Sequence, residues 1–385
     1  MMIGLVGKPA SGKSSFFKAA TMIDVKITGI PFTTIKPNVG VGYLSFDCVD
    51  HELGIKCDPK HGFCKNGKRF LPVKLIDVAG LVPGAHQGKG MGNQFLDDLR
   101  QASVLIHVVD FSGLTDEEGK PAVDHDPYRD IEFLEKEIDL WFSSVIKKAL
   151  QKFESQILKY SKADLVQILA EQLSGLQITK QMIMRTVEKV SVSDVENFSR
   201  ELRKLSKPIV IAANKIDLPQ ARKNFDQLKE KLENFTPTSA EAEIALKKAN
   251  EKGLIDYLPG NGFDIDVSKV DGPRLNALEL IKKEVVEKFG STGIQDCLNR
   301  AVFELLNYIP VYPVADSKNY SDKDGNVLPD VFLVPKGTTL KEFAFMIHTD
   351  IGKKFISGLD SISKRKLSAD YQLKKFDVVE IIHSK

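Results

Sequence analysis

The chain has 385 residues, of which 42% are hydrophobic and 28% are charged, and its net charge is +2. This length and composition are typical of a soluble globular protein with two or three domains. The near-neutral charge excludes a general electrostatic attraction to polyanions, so contacts with nucleic acid must come from local basic patches.

The sequence also indicates where the protein works. No apolar stretch approaches the length of a membrane span, so we expect no membrane partner. The predicted first strand begins at the N-terminus and leaves no room for a cleavable signal. Four cysteines in a chain of this length fit a reducing compartment. We therefore expect a cytoplasmic, monomeric protein.

The first predicted elements are a strand and a phosphate-binding loop. Apolar residues 2–6 lead into GKPASGKS, which matches G-x-x-x-x-G-K-[ST]. Such a loop surrounds phosphates with backbone N–H groups in front of a helix N-terminus. Lys13 is expected to contact the outer phosphates and Ser14 to bind Mg²⁺. The predicted nucleotide-binding residues of this segment are Gly7, Lys8, Pro9, Ala10, Ser11, Gly12, Lys13, Ser14 and Ser15.

The next segment contains cysteines and histidines. It reads Cys48-x₂-His51-x₅-Cys57-x₃-His61-x₂-Cys64. These residue types suit tetrahedral Zn²⁺, although the spacing is not that of a standard zinc finger. Three interpretations remain open: free cysteines, a Cys57–Cys64 disulfide, or a zinc site. A disulfide is unusual in cytoplasm unless the host is a hyperthermophile.

A strand predicted at 73–76 ends at a D-x-x-G signature, Asp77 to Gly80. Asp77 is expected to reach Mg²⁺ through water, and the Gly80 N–H to contact the terminal phosphate. A switch threonine is the third predicted Mg²⁺ ligand, and we choose Thr34 over Thr33.

The group that positions the attacking water is less clear. Ras-like enzymes use a glutamine directly after D-x-x-G, whereas this chain has Leu81, whose side chain cannot hydrogen-bond. His86, in a glycine-rich segment, is the candidate replacement; the alternative is an exposed loop histidine and slow turnover. The predicted catalytic residues are thus Lys13, Thr34, Gly80 and His86.

After a buried strand predicted at 105–110, the pattern changes. Residues 126–206 contain almost no Gly or Pro and are rich in Leu, Ile, Lys and Glu. Ile131, Leu134, Ile138 and Phe142 recur at helical spacing. We predict a helical insertion between two sheet strands, either a packed subdomain or a coiled-coil-like docking arm.

A strand predicted at 208–213 ends at an N-K-x-D element, Asn214 to Asp217. The Asp217 carboxylate would accept hydrogen bonds from the ring N–H and the exocyclic amine of guanine, while Lys215 packs on the ring. Adenine offers no such pair of donors and would leave the carboxylate unsatisfied. Ser239 and Ala240 resemble the segment whose backbone N–H contacts the guanine carbonyl. These motifs predict that GTP is preferred over ATP.

The C-terminal part follows helix-like runs at 275–289 and 294–306. Strands are predicted at 331–334 and 378–382, and Thr339 and Glu342 have the spacing of a capping box. These elements indicate a β-grasp-like module. Basic residues in it are candidates for phosphate contacts. They are Lys353, Lys354, Lys364, Arg365, Lys366, Lys374 and Lys375.

Further segments carry a family resemblance. They are Pro31-Phe32-Thr33-Thr34, Pro37-Asn38-Val39-Gly40, Asp77 to Ala85, Gly88 to Leu96 and Val334 to Thr339. On these residues the chain resembles the Obg-like GTPase superfamily, on the archaeal side of its YchF-related branch. The resemblance implies a G domain, a helical insertion, a C-terminal TGS domain and association with ribosomes or RNA. Many YchF relatives have a degraded base-reading motif, which is intact here, and K⁺-activated relatives carry Asn in place of Ala10.

The predicted fold class is α/β. A P-loop NTPase G domain spans 1–125 and 207–308, a helical, coiled-coil-like insertion spans 126–206, and a β-grasp TGS domain spans 309–385. The predicted function is Mg²⁺-dependent hydrolysis of GTP to GDP and phosphate in a translation-related, ribosome- or RNA-associated switch without DNA sequence specificity. The alternatives are a non-catalytic sensor of GTP or ppGpp and a weak ATPase.

Overall fold

A computed structural model describes residues 1–22, 38–78, 92–151 and 161–384. In these ranges no helix combines the length and the apolar character needed to cross a membrane. The described residues form two compact units: a larger one from 1–22, 38–42 and the described part of 73–301, and a smaller one from 43–72 and 302–384.

Fourteen strands are described. They are β1 (Met2–Val6), β2 (Val39–Asp47), β3 (Phe63–Lys65), β4 (Lys68–Asp77), β5 (Val104–Asp110), β6 (Ile209–Asn214), β7 (Phe235–Pro237), β8 (Ile255–Tyr257), β9 (Phe263–Ile265), β10 (Tyr308–Val314), β11 (Phe332–Pro335), β12 (Phe355–Asp360), β13 (Lys366–Leu367) and β14 (Val378–His383).

Fourteen α-helices are described with them. They are α1 (Lys13–Thr21), α2 (Val49–Leu53), α3 (Gly92–Gln101), α4 (Pro127–Gln151), α5 (Lys162–Leu173), α6 (Lys180–Lys189), α7 (Val195–Ser206), α8 (Pro219–Leu228), α9 (Ala240–Glu251), α10 (Gly272–Ile281), α11 (Glu287–Phe289), α12 (Ile294–Asn299), α13 (Leu340–Ile347) and α14 (Thr349–Lys353).

The main sheet has the strand order β2-β4-β1-β5-β6-β7, with β3 paired to β4. The pairings of β1 with β4 and β5, of β5 with β6, and of β6 with β7 are all parallel. Every residue of β5 is buried, as expected for a strand covered on both faces. Because parallel strands end at the same edge of the sheet, the carboxyl ends of β1, β4, β5 and β6 lie together, which is where ligands bind in such sheets.

Helices α4 to α7 follow β5 in the larger unit. The four residues predicted to form the apolar stripe of α4, namely Ile131, Leu134, Ile138 and Phe142, are all buried. They pack in clusters with residues of the neighbouring helices and of the sheet. The helical character predicted for this part of the chain is confirmed in the described residues. The domain boundaries stay predictions.

The predicted helices at 275–289 and 294–306 are interrupted in their hydrogen bonding. α10 continues through a π-helical turn, Lys282–Val286, into α11, and α12 continues into a second π-helical turn, Arg300–Leu305. Such turns arise when one extra residue is inserted into a helix, and the apolar periodicity alone did not reveal them.

The smaller unit contains a five-stranded sheet in the order β11-β10-β14-β12-β13. Helix α13 packs Leu340 and Phe343 against Val311 and Val379 of this sheet. Its N-terminus has the predicted capping box, in which Thr339 and Glu342 each bond the other's backbone N–H. The fold of the chain is a mixed α/β P-loop fold followed by a TGS-type module, as predicted.

Candidate nucleotide-binding site

The phosphate-binding loop joins β1 to α1 and needs two of its glycines. A Cβ atom on Gly7 would lie 2.5 Å from the Val108 carbonyl oxygen. Gly12 has a φ of 90°, and a Cβ there would collide with the Asn214 side chain. The backbone therefore comes closer to β5 and β6 than another residue type would allow.

Lys13 opens α1 and forms an ion pair with Asp77, which ends β4. Both side chains are largely buried, at 13% and 22% exposure. Ser14, the next residue of α1, is exposed. The structure thus brings together two of the groups predicted for phosphate and Mg²⁺ binding, and the oxygen donors of Ser14 and Asp77 suit that hard cation.

Asn214 links the phosphate-binding loop to the first residue of α9. Its Nδ2 donates to the Ser11 carbonyl oxygen over 3.0 Å, and its Oδ1 accepts from the Ala240 N–H over 3.2 Å. The side chain is buried. Asn214 therefore has a structural role in the site, and the Ala240 N–H expected to face guanine is bonded to this side chain.

Asp217, the predicted base-reading carboxylate, is oriented by Ser239. The Ser239 hydroxyl donates to Asp217 Oδ1 over 2.6 Å and accepts from the Ala242 N–H over 3.2 Å as the N-cap of α9. One serine thus fixes the start of the helix and the direction of the carboxylate.

The Lys215 ammonium lies 2.8 Å from Asp110 Oδ2. Asp110 is fully buried at the end of β5, directly opposite Asn214 in the sheet, and also accepts from Ser112 and Thr115. Burial alone would raise the pKa of Asp110, but the hydrogen bonds from Lys215, Ser112 and Thr115 outweigh it and lower the pKa. Asp110 was not among the predicted site residues, although its position at the end of a buried strand was a usable signal.

Lys8, also in the phosphate-binding loop, points away from the predicted phosphate position. Its Nζ lies 2.7 Å from Asp130 Oδ2 near the start of α4 and donates to the Thr115 carbonyl oxygen over 2.8 Å. The other oxygen of Asp130 lies 2.8 Å from His125 Nε2. Nothing in the sequence indicated this buried cluster.

One pocket of about 360 Å³ contains residues from both ends of the predicted site. Its lining comprises Ala10, Gly12, Ser15, Asn214, Lys215, Asp217, Leu218, Ala240 and Glu241. Residues from the phosphate-binding loop, the N-K-x-D element and the start of α9 therefore converge on one space. Three predicted catalytic residues, Thr34, Gly80 and His86, lie outside the described residues.

The cysteine segment, in the smaller unit, differs from the expectation. Cys48, Cys57 and Cys64 come together with Asp50, which the sequence analysis did not single out. His51 and His61 are exposed and lie outside this group. On α2, His51 follows Asp50 by one residue and therefore points to a different side of the helix. All three thiols and that of the buried Cys297 are free.

Comparisons with known proteins agree with this geometry. Three family models match: a 50S ribosome-binding GTPase model at residues 2–142, an Obg-like GTPase YGR210-like, G4 motif-containing domain at 212–316, and a TGS domain at 317–383. An uncharacterized GTP-binding protein of Methanocaldococcus jannaschii is 46% identical over 99% of this chain and 98% of its own length. The chain belongs to the Obg-like, YchF-related family of GTP-binding proteins.

Two other members extend the comparison. The crystal structure of a GTP-binding protein from Pyrococcus horikoshii is 39% identical, covers both chains completely and superimposes with a TM-score of 0.79. A protein of Mycoplasma pneumoniae named ribosome-binding ATPase YchF is 31% identical over 68% of this chain and 72% of its own. This YchF-related chain thus has relatives named for either nucleotide.

Proposed function

We propose that this protein binds GTP and GDP and hydrolyses GTP to GDP and phosphate. The observation that carries the proposal is the single pocket lined by Ala10 and Gly12 at one end and by Lys215 and Asp217 at the other. A guanosine phosphate bound there has its phosphates beside the N-terminus of α1 and its base beside the carboxylate.

Base selection rests on Asp217. Its bond from Ser239 holds the carboxylate toward the pocket, where guanine supplies two donors. When adenine occupies the pocket, the carboxylate is buried without these two donors, which weakens the binding free energy by about 1–3 kcal/mol. The ion pair with Asp110 keeps the Lys215 side chain extended along the base position. The protein therefore prefers guanine nucleotides.

Hydrolysis requires charge neutralisation and a positioned water. When bound, Mg²⁺ neutralises charge on the outer phosphates, and Ser14, Asp77 and Thr34 would hold it. The Lys13 ammonium is anchored at the loop and adds a second positive charge. Since Leu81 cannot orient water, we assign that task to His86 and expect slow intrinsic turnover.

The proposed partner is the ribosome or an RNA. The Mycoplasma relative is named for ribosome binding. The seven basic residues singled out in the C-terminal module are all exposed, as phosphate contacts require. Nucleotide-dependent engagement of this partner would make the protein a translation-related switch.

Calorimetric titration with GDP, GTP and ATP tests the proposal. We expect GDP and GTP to bind at least tenfold more tightly than ATP, and Asp217→Ala to abolish this preference. Asp226→Ala, an exposed aspartate on α8, is the matched control. Equal affinity of the native protein for ATP and GTP would identify an ATPase, and no measurable GDP binding would refute the nucleotide site.

Single-turnover hydrolysis with and without ribosomes tests the enzymatic part. We expect slow GTP hydrolysis by the protein alone and faster hydrolysis with ribosomes. The His86→Ala variant should hydrolyse GTP more slowly than the native protein. GTP binding without hydrolysis under either condition would instead indicate a non-catalytic guanine-nucleotide sensor.

A further inference from the structure

The smaller unit contains a buried group of metal-ligating side chains that the nucleotide site does not use. Cys48, Asp50, Cys57 and Cys64 each offer one ligand atom, and these four atoms lie within 4.8 Å of one another. We propose that this group binds one Zn²⁺ ion as a structural site with three thiolates and one carboxylate.

The distances fit tetrahedral coordination. With Zn–S bonds near 2.3 Å, two sulfur ligands of a tetrahedral ion are about 3.8 Å apart. The sulfur atoms of Cys48 and Cys57 are 3.8 Å apart, and the Cys64 sulfur is 3.8 Å from Asp50 Oδ2. The remaining pairs reach at most 4.8 Å, so they need to close by about 1 Å.

The local fold supplies the four ligands from three adjacent segments. Cys48 is the N-cap of α2, Asp50 lies in its first turn, Cys57 follows in the next loop, and Cys64 lies on β3. Two hydrogen bonds tie these segments: the Cys48 N–H donates to the Gly67 carbonyl oxygen, and the Cys57 N–H donates to the Asp50 side chain at Oδ2. These bonds therefore hold the ligands near one another before a metal binds, and only a small closure remains.

Asp50 gives an independent indication of a ligand. Its side chain is buried at 9% exposure, and its Oδ1 has no hydrogen-bond partner among the described residues. A buried carboxylate oxygen without a donor is costly. Coordination of a cation by this carboxylate removes that cost, whereas free thiols, which are weak donors, do not.

The surroundings also suit a negatively charged metal–thiolate centre. Arg69 is fully buried and stands opposite Cys64 in the β3–β4 hairpin, so both side chains lie on one face. Its guanidinium donates to two neutral carbonyl oxygens, of Leu328 and Pro329, and its Nε has no partner among the described residues. Three thiolates and a carboxylate around Zn²⁺ would provide this buried cation with opposite charge.

Tyr312 completes the outer shell. Its hydroxyl lies 3.9 Å from the Cys48 sulfur and donates to it. Such bonds to metal-bound thiolates orient the ligand and reduce its charge. A disulfide between two of the cysteines would leave the third thiol and the Asp50 carboxylate without a role, so the complete group fits a metal better.

Metal analysis of the full-length protein, purified without chelators, tests the site. We expect one zinc per chain, reduced at least tenfold in occupancy in Cys64→Ala and Asp50→Ala. Cys297→Ala removes a buried cysteine of the other unit and keeps the zinc. His51→Ala and His61→Ala also keep it; loss of zinc in either would overturn this ligand set.

Cobalt substitution provides a readout that does not depend on whether the variants fold. After chelation of the native protein, Co²⁺ should bind one-to-one with the intense visible absorption of a tetrahedral thiolate site, and Zn²⁺ should displace it. Protein that binds neither metal overturns the proposal. Thiol titration in denaturant then distinguishes four free cysteines from a disulfide.

Discussion

Lys215 makes two kinds of contact at once, and only one of them follows from its motif. Its positive φ of 67° turns the chain sharply after β6, while its ammonium bonds the buried Asp110. The motif predicts that the lysine packs on the base, but the aspartate that its ammonium bonds lies 105 residues earlier. We therefore expect affinity for the nucleotide to depend on Asp110, a residue that we do not expect to touch the nucleotide.

The first prediction concerns this anchor. Asp110→Asn keeps the volume but removes the charge that holds Lys215, so the side chain becomes free to leave the base. We expect affinity for GDP to fall about tenfold, or about 1.4 kcal/mol, in a fluorescent-nucleotide titration. Glu117→Gln changes an exposed carboxylate of the following loop and serves as the control. Unchanged affinity in Asp110→Asn would contradict the anchoring role.

The second prediction concerns pH and Lys207, which is fully buried and donates to the Arg100 and Ala102 carbonyl oxygens. Burial lowers the pKa of Lys207 to about 8 from an ordinary value of 10.5. The unfolded chain therefore holds the proton more tightly, so the contribution of this group to stability is smallest at neutral pH and rises as pH increases from about 8 to 10.5.

Urea unfolding of the native protein and of Lys207→Met measures this effect. The unfolding free energy of the native protein should gain about 2 kcal/mol relative to the variant between about pH 7 and pH 9.5. Lys204→Met, which changes an exposed lysine in the last turn of α7, the helix that Lys207 follows, should show no such difference. If the difference in unfolding free energy between the native protein and Lys207→Met does not change with pH, the pKa of Lys207 is not lowered by burial.

At the level of elements, the cluster of Lys8, Asp130 and His125 fastens the phosphate-binding loop to α4. The Lys8 and Asp130 side chains are only 4% and 3% exposed, and they come from separate elements of the larger unit. A buried pair of this kind is costly to break, because removing one partner leaves an uncompensated charge. The loop and the first helix of the insertion therefore resist separate displacement.

The third prediction is that Asp130→Asn lowers the unfolding free energy by about 3 kcal/mol. Lys8 then remains buried without a counter-charge, while His125 loses its carboxylate partner. Chemical denaturation measures the change, and Glu132→Gln, an exposed neighbour on α4, should alter stability by less than about 0.5 kcal/mol. If Asp130→Asn and Glu132→Gln change the unfolding free energy by similar amounts, the Lys8–Asp130 ion pair does not stabilise the fold as predicted.

The elements that the sequence predicted well are those fixed by short-range patterns. The strand before Gly7, the capping box of α13 and the apolar stripe of α4 each depend on residues within a few positions of one another. Two contacts that escaped prediction join distant segments: Asp110 with Lys215 and Asp130 with Lys8. The path of the folded chain brings these partners together, and no local spacing encodes it. Asp50 lies only 7 and 14 residues from Cys57 and Cys64, and it escaped prediction because the metal-site pattern was read from cysteines and histidines alone.

At the scale of the whole molecule, the seven exposed basic residues proposed for phosphate contacts belong to the smaller unit, while the candidate nucleotide pocket belongs to the larger one. We therefore expect separate binding surfaces for the proposed partner and for the nucleotide, so that substitutions in one surface leave binding at the other unchanged.

The fourth prediction tests this separation. Binding of the ribosome or RNA should weaken with salt, and the log of the binding constant should fall linearly with the log of the salt concentration. Replacing Arg365, Lys366 and Lys374 by Gln should reduce the magnitude of this slope by about two to three. The affinity for GDP should not change. Fluorescence anisotropy over a salt series measures the slope. A control triple variant at exposed lysines of the larger unit, Lys223, Lys229 and Lys231, should keep the native slope.

The smaller unit also has a consequence for biosynthesis. Its hairpin at 63–77 begins near the N-terminus, but the carbonyl oxygens that Arg69 binds belong to Leu328 and Pro329. In a nascent chain, the Arg69 guanidinium therefore lacks these two acceptors until the ribosome has translated more than 250 further residues. Early release of the polypeptide would leave that segment without its partners, a natural substrate for chaperones and proteases.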